Sequence, residues 1–201
     1  MKSSRSEQTN RKIINAALRL FVRKGYHGTS ISDIANLTKL TKGAIYFHFK
    51  NKDALLSRIL EEYERSYVSK MIEQVGSADG NALDKMKHLL RFSFNFAAKN
   101  RELCICLTNL STELYSSSKK YQKGIRKPYE ELYGLFTKLL EEGVKDGSFR
   151  EDNAPPLVAM NIVGANDGNL LQWSLNMSQY NGKNFSRSYM KFLLHAIQRH
   201  D

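Results

Sequence analysis

The chain is poor in the residues that would commit it to several common architectures. It has two cysteines, Cys104 and Cys106, two positions apart in "ELCICLTNL". On a helix they point in well-separated directions, so neither a disulfide nor a shared metal follows, and their expected role is that of small buried apolar side chains. There is no CxxC pair and each of the five histidines is isolated, so a metal has no ligand spacing to rest on. No Gly-rich phosphate loop and no nucleophile beside a base occurs, which argues against an enzyme and against a cofactor. No apolar run reaches the roughly 18 residues of a membrane helix. The start, "MKSSRSEQTNRK", lacks the apolar stretch of a secretory signal. A cytoplasmic protein with no membrane partner is the resulting expectation.

Acidic residues are scarce at one end. Residues 1–52 hold eleven Lys and Arg against Glu7 and Asp33, whereas residues 53–201 are nearly balanced within a net charge of +11. That asymmetry suggests that the N-terminal quarter meets a polyanion, with the rest an ordinary soluble body. At 41% hydrophobic and 25% charged, the 201 residues suffice for a packed core, divided here as 1–52 and 53–201.

Sustained period-two alternation is also missing, so the chain reads as all-α, with about nine helices. Ile14, Ala17, Leu18 and Phe21 recur at helical spacing in a first helix that Gly25 ends. Ser30 with Asp33 forms a capping-box pattern for a short second helix, about 31–38, burying Ile34, Ala35 and Leu37. Thr41 caps a third, about 42–47, and Asn51 a long fourth, about 52–75. Further helices cover about 82–98 and 102–110 or somewhat further, with a loop or frayed turn at 115–120. A long helix to Lys145 is expected to be irregular near Gly124 and Pro128. Two more, about 155–177 and 185–199, close the chain.

Two short helices joined by "TKLT", the second capped and flanked by basic residues, describe a helix-turn-helix. In "TKGAIYFHF", Ile45, Phe47 and Phe49 are expected to pack inward, with Tyr46 and His48 outward beside Thr41, Lys42 and Ala44. A cap hydroxyl, free N–H groups, a lysine, a phenol and an imidazole each suit a phosphate oxygen. Gly43 allows close backbone approach, and the Ala44 methyl suits a thymine methyl. Lys52 adds charge at the start of the fourth helix.

Over Gly25 to Leu55, "GYHGTSISDIANLTKLTKGAIYFHFKNKDAL" resembles the TetR family of bacterial transcriptional regulators, in residue types and in spacing. One departure is Lys39, where family members often have Gly; a left-handed residue there costs roughly 1 kcal/mol more without glycine. The resemblance implies DNA-backbone contacts from Thr29 or Ser30, Thr41, Lys42, Tyr46, His48 and Lys52, with Lys42, Gly43 and Ala44 nearest the bases.

The resemblance also implies a C-terminal effector pocket and a homodimer made by the last two helices. Pocket candidates, rings and scattered polar groups, are Tyr63, Tyr67, Met86, Phe92, Asn95, Phe96, Cys106, Asn109, Glu113, Tyr133, Asn169 and Trp173. Small residues Gly164, Ala165 and Gly168, with Tyr189, Phe192, Leu193 and Ile197, are the candidate dimer surface. The function expected is a homodimeric repressor that binds a palindromic double-stranded DNA operator and is released by a small apolar or aromatic effector. The alternative is a helical body that answers to a protein partner.

Overall fold

The computed structural model describes residues 5–115, 119–151 and 154–199. Its helices are α1 (Arg5–Lys24), α2 (Ile31–Thr38), α3 (Lys42–His48), α4 (Lys52–Tyr63), α5 (Ser69–Ser77), α6 (Ala82–Lys99), α7 (Arg101–Leu114), α8 (Lys119–Lys145), α9 (Pro155–Leu175) and α10 (Gly182–Ile197). Among the described residues no strand forms and no helix is long and apolar enough to cross a membrane. Phe149 and Gln198 make an isolated bridge.

Two boundaries differ from the sequence reading, those of the helix over 52–75 and of the start of α8. The helix expected over 52–75 is divided into α4 and α5 by a π-helical turn, Glu64–Val68, where the backbone takes one extra residue per turn. α7 runs to Leu114, within the expected extension past Leu110, as Leu110 and Leu114 prolong the buried stripe begun by Leu107. α8 starts at Lys119 and, as expected, runs through Pro128 to Lys145. Of the loop expected over 115–120, Tyr115 lies in a turn and Lys119 already belongs to α8, while residues 116–118 lie outside the described residues.

The chain forms two compact units. The first comprises Met1–Glu64 with Glu102–Ile125, and the second Arg65–Arg101 with Arg126–Asp201. A division at residue 52 misses this arrangement, because the segment 102–125 returns to the N-terminal unit. The core of the first unit is Ile13, Ala17 and Phe21 of α1, Ile34 of α2, Ile45 of α3, and Leu55, Leu56 and Ile59 of α4. The α1 stripe centres on Ile13 rather than Ile14, and Leu37, expected inside, is exposed. At roughly 25 cal/mol per Å² of apolar area removed from water, this burial holds α2 and α3 in place, since helices so short do not persist alone.

The second unit is built on Val68, Met71, Met86, Leu89, Leu90, Phe136, Leu139, Leu140, Ile162 and Ile197. The Asp146 carboxylate accepts from the Ala82 N–H at 2.9 Å, fixing the start of α6 beside the end of α8. Arg150 N–H donates to the Ile197 carbonyl at 3.1 Å and ties the turn after α8 to the end of α10.

Candidate nucleic-acid interface

The start of α2 is doubly capped. Asp33 N–H donates to Ser30 Oγ at 3.1 Å, and Ser30 N–H donates to Asp33 Oδ2 at 2.9 Å. Lys24 Nζ reaches the same carboxylate at 2.8 Å. The Lys24 hydrogen bond, followed by those from Ser30, holds the Asp33 carboxyl well below the usual carboxylate range.

The turn that follows closes as a Schellman motif. Lys39 is left-handed, with φ 56° and ψ 36°; its N–H donates to the Asn36 carbonyl at 3.2 Å and that of Leu40 to the Ala35 carbonyl at 3.0 Å. The geometry that glycine usually supplies is thus reached by a lysine, whose exposed side chain adds a positive charge beside α3.

Thr41 caps α3, accepting from the Ala44 N–H at 3.1 Å while remaining exposed. Ile45 is fully buried and anchors the helix; Lys42 and Gly43 face solvent, Ala44 and His48 are half-buried, and Tyr46 is 52% exposed. A Cβ placed on Gly43 would meet nothing nearer than Thr41 Oγ1 at 3.8 Å, so packing within the protein does not call for glycine here. Phe49 is buried as expected, but Phe47 is not: it is 84% exposed, its ring edge-on to His48 at 5.2 Å. On a helix Phe47 lies two positions from Ile45 and therefore on a different face, which the aromatic count concealed.

Two expected phosphate contacts face inward instead. Thr29 is buried and its hydroxyl donates to the Gly25 carbonyl at 2.8 Å, leaving Ser30 as the exposed member of that pair. Lys52 Nζ donates to the carbonyls of Tyr26 and Thr29 at 2.7 and 2.8 Å. Desolvation lowers the Lys52 pKa, opposed by the nearby Glu113 and Asp53 carboxylates. The Thr29 bond spans only four residues, whereas no local pattern marks the commitment of Lys52, because the carbonyls it meets lie more than twenty residues away.

The structure separates the pocket candidates. In the second unit Tyr67, Phe92 and Phe96 form a ring cluster, with Tyr67 and Phe96 at 4.8 Å, and the Tyr67 hydroxyl bonds Ser93 Oγ at 2.9 Å. Tyr133 lies against Tyr129 at 6.3 Å, and Tyr129 donates to Asp167 at 2.9 Å. Burial pushes the Asp167 carboxyl up to about 6, partly offset by that bond; burial, then Asp167, raises the Tyr133 phenol. Asn169 donates its amide to Ala165 O within α9, and a Cβ on Gly182 would stand 3.1 Å from the Trp173 ring. Met86 is core, and Asn95 and Asn109 are exposed. In the first unit Tyr63 is half-buried, Cys106 is buried with its thiol pushed up to about 12, and the Glu113 carboxylate is occupied by backbone N–H groups. A surface groove of about 470 Å³ between α5 and α6, lined by Gln74, His88 and Arg91 among others, includes none of these candidates.

The dimer candidates divide as well. Tyr189, Leu193 and Ile197 are buried within the chain, Tyr189 edge-on to Phe94 at 5.7 Å, because α10 packs on α6. Burial raises the Tyr189 phenol to about 12. Ala165 is half-buried, whereas Gly164, Gly168 and Phe192 are exposed, Phe192 by 74%. Leu157, Met160, Leu171 and Leu175 are also exposed. With Gly164 and Gly168 they recur every three or four residues along one stripe of α9, which the sequence reading identified only in part.

A capped, basic second helix set behind a Schellman turn, on an otherwise helical chain, is the arrangement of a helix-turn-helix DNA-binding regulator. The model of "Bacterial regulatory proteins, tetR family" matches residues 13–59, and that of "YsiA-like protein, C-terminal region" matches residues 60–196. The chain belongs to the TetR family of transcriptional regulators, as the resemblance implied. It is 26% identical to the fatty acid metabolism regulator protein of Bacillus subtilis (strain 168) over 92% of this chain and 94% of that one. The structure of the MbdR regulator from Azoarcus sp. CIB superposes with a TM-score of 0.85 at 29% identity, covering 92% of this chain and 96% of the other. That of the fatty acid degradation regulator FadR from Bacillus halodurans gives 0.76 at 26% identity, over 96% and 97%.

Proposed function

We propose that the protein is a homodimeric repressor whose α3 enters the major groove of a palindromic operator and which a fatty-acyl compound releases. The observation that carries the DNA side is the division of α3: Ile45 is wholly buried while Thr41, Lys42, Gly43 and Tyr46 stand at the surface of a unit rich in positive charge. Ser30, Thr41, Lys42, Tyr46 and His48 serve as phosphate contacts, and Lys42, Gly43 and Ala44 lie nearest the bases. The exposed apolar stripe of α9, with Phe192 of α10, is the surface expected to pair with a second copy, placing two recognition helices roughly 34 Å apart.

The effector assignment rests on the relatives named for fatty acid metabolism and degradation, and on half-buried rings of the second unit, Phe92, Phe96, Tyr133 and Trp173, as apolar contacts. Fragments of the source genome selected by the purified protein provide the operator. Binding to that operator is then measured with stearoyl-CoA, stearic acid and a panel of aromatic acids. Release by the acyl compounds alone is the expected result; release by the aromatic acids alone sinks the effector assignment. Failure to select any common sequence sinks the DNA site.

A further inference from the structure

The segment 102–125 lies inside the region matched by the C-terminal family model, yet it packs in the same unit as the helix-turn-helix. Its means of doing so is specific. Glu113, near the end of α7, accepts the Tyr26 N–H on Oε2 and the His27 N–H on Oε1, both at 2.8 Å. Tyr121, near the start of α8, donates its hydroxyl to Asp53 Oδ1 at 2.7 Å, and the Tyr26 hydroxyl donates to the same oxygen. The Tyr26 and Tyr121 rings meet edge-on at 5.8 Å. Gly25 makes room for this seat: it is left-handed at φ 75°, and a Cβ there would stand 2.9 Å from Glu113 Oε2.

Tyr26 is thereby held from both sides. Its backbone is bound by Glu113 and, through its carbonyl, by Lys52; its side chain is bound by Asp53. It lies in the connection between α1 and α2, so its position sets where α2, the turn and α3 begin. We infer that Glu113 is a positioning residue for DNA recognition, seating the helix-turn-helix on the segment 102–125. The inference rests on the proposed reading of this chain as a DNA-bound regulator, and it concerns contacts within the first unit alone. A carboxylate suits the role because its two oxygens accept two neighbouring N–H groups at once, as a neutral amide does not.

The sign of one substitution separates this role from any direct electrostatic effect. Removing a negative charge from a DNA-binding unit raises affinity for a polyanion by Coulomb's law alone. Positioning predicts the opposite. With the full chain and the operator fragment selected by the wild type, Glu113→Gln is expected to lower affinity by about tenfold with the salt slope unchanged, since no phosphate contact is lost. Tyr121→Phe, which removes one hydroxyl from a half-buried ring, is expected to lower it less, in a protein of near-wild-type melting temperature. Amide hydrogen exchange gives a readout independent of DNA: in Glu113→Gln the Tyr26 and His27 amides are expected to exchange faster while those of the α1 core around Ala17 do not. An affinity equal to or above wild type, or unaltered exchange at Tyr26 and His27, overturns the inference. Should the wild type select no operator, the reading as a DNA-bound repressor fails, and exchange alone still decides whether Glu113 seats Tyr26.

Discussion

The Lys52 ammonium lies 4.3 Å from the centre of the Tyr26 ring while donating to the Tyr26 carbonyl at 2.7 Å, so one lysine binds the face and the backbone of the same residue. Lys52→Met is therefore expected to destabilise the fold by about 1–3 kcal/mol, because the carbonyls of Tyr26 and Thr29 lose a charged donor. Denaturant unfolding measures the loss. The slope of log affinity against log salt should stay at the wild-type value, unlike that of Lys42→Ala, which is expected to fall by about one phosphate contact.

Gly43 separates stability from binding. Open space around its α-carbon means Gly43→Ala is expected to stabilise α3 by roughly 0.5–1 kcal/mol through helix propensity. The same methyl stands where DNA is proposed to approach, and operator affinity is expected to fall. A variant that is both more stable and equally tight in binding would remove Gly43 from the interface.

Lys39→Gly makes the converse case. Relief of the left-handed strain at φ 56° is expected to stabilise by about 1 kcal/mol, reduced by the greater freedom of glycine in the unfolded chain. Loss of the exposed charge is expected to weaken DNA binding and lower its salt slope. Melting curves and titrations at several salt concentrations test the two effects separately.

Leu171 stands in the middle of the exposed α9 stripe, and Leu171→Asp places a charge at the surface proposed to pair. Sedimentation is expected to show monomers where the wild type sediments as a dimer, with loss of operator affinity and retention of helical content. Wild-type protein that sediments as a monomer at micromolar concentration would refute the assignment of this stripe.

Asp167 predicts a pH dependence with a definite sign. Its folded pKa, about 6, is raised above the ordinary value of an aspartate, so its neutral form favours the folded state. That contribution is fully present below about pH 4 and is lost as pH rises through about 6. Asp167→Asn, which still accepts from Tyr129, is expected to be more stable than the wild type at pH 7.5 by up to about 3 kcal/mol. The two should converge near pH 4; parallel stability curves across that range would contradict the assignment.

The start of each recognition element was legible because capping is local chemistry. Ser30 with Asp33, Thr41 and Asn51 each find their partner N–H within three residues, so the sequence alone locates α2, α3 and the start of α4. Phe47 was misplaced because an aromatic ring is ordinarily read as core, whereas its face is set by helical phase relative to Ile45. Lys52 and Glu113 were misread as ligands of something outside the chain, since nothing in their neighbourhood shows that backbone groups far along the sequence occupy them.

By itself the sequence determined an all-helical chain, a capped helix-turn-helix in a basic N-terminal quarter, and the family, because periodicity, capping and charge are carried by neighbouring residues. Tertiary structure alone decided that residues 102–125 join the DNA-binding unit, that Tyr189, Leu193 and Ile197 pack inward while the α9 stripe stays open, and that Glu113 seats Tyr26. The physical reason is that charged and aromatic side chains take their partners from whatever the fold brings within a few ångströms, and that proximity depends on packing rather than on spacing along the chain.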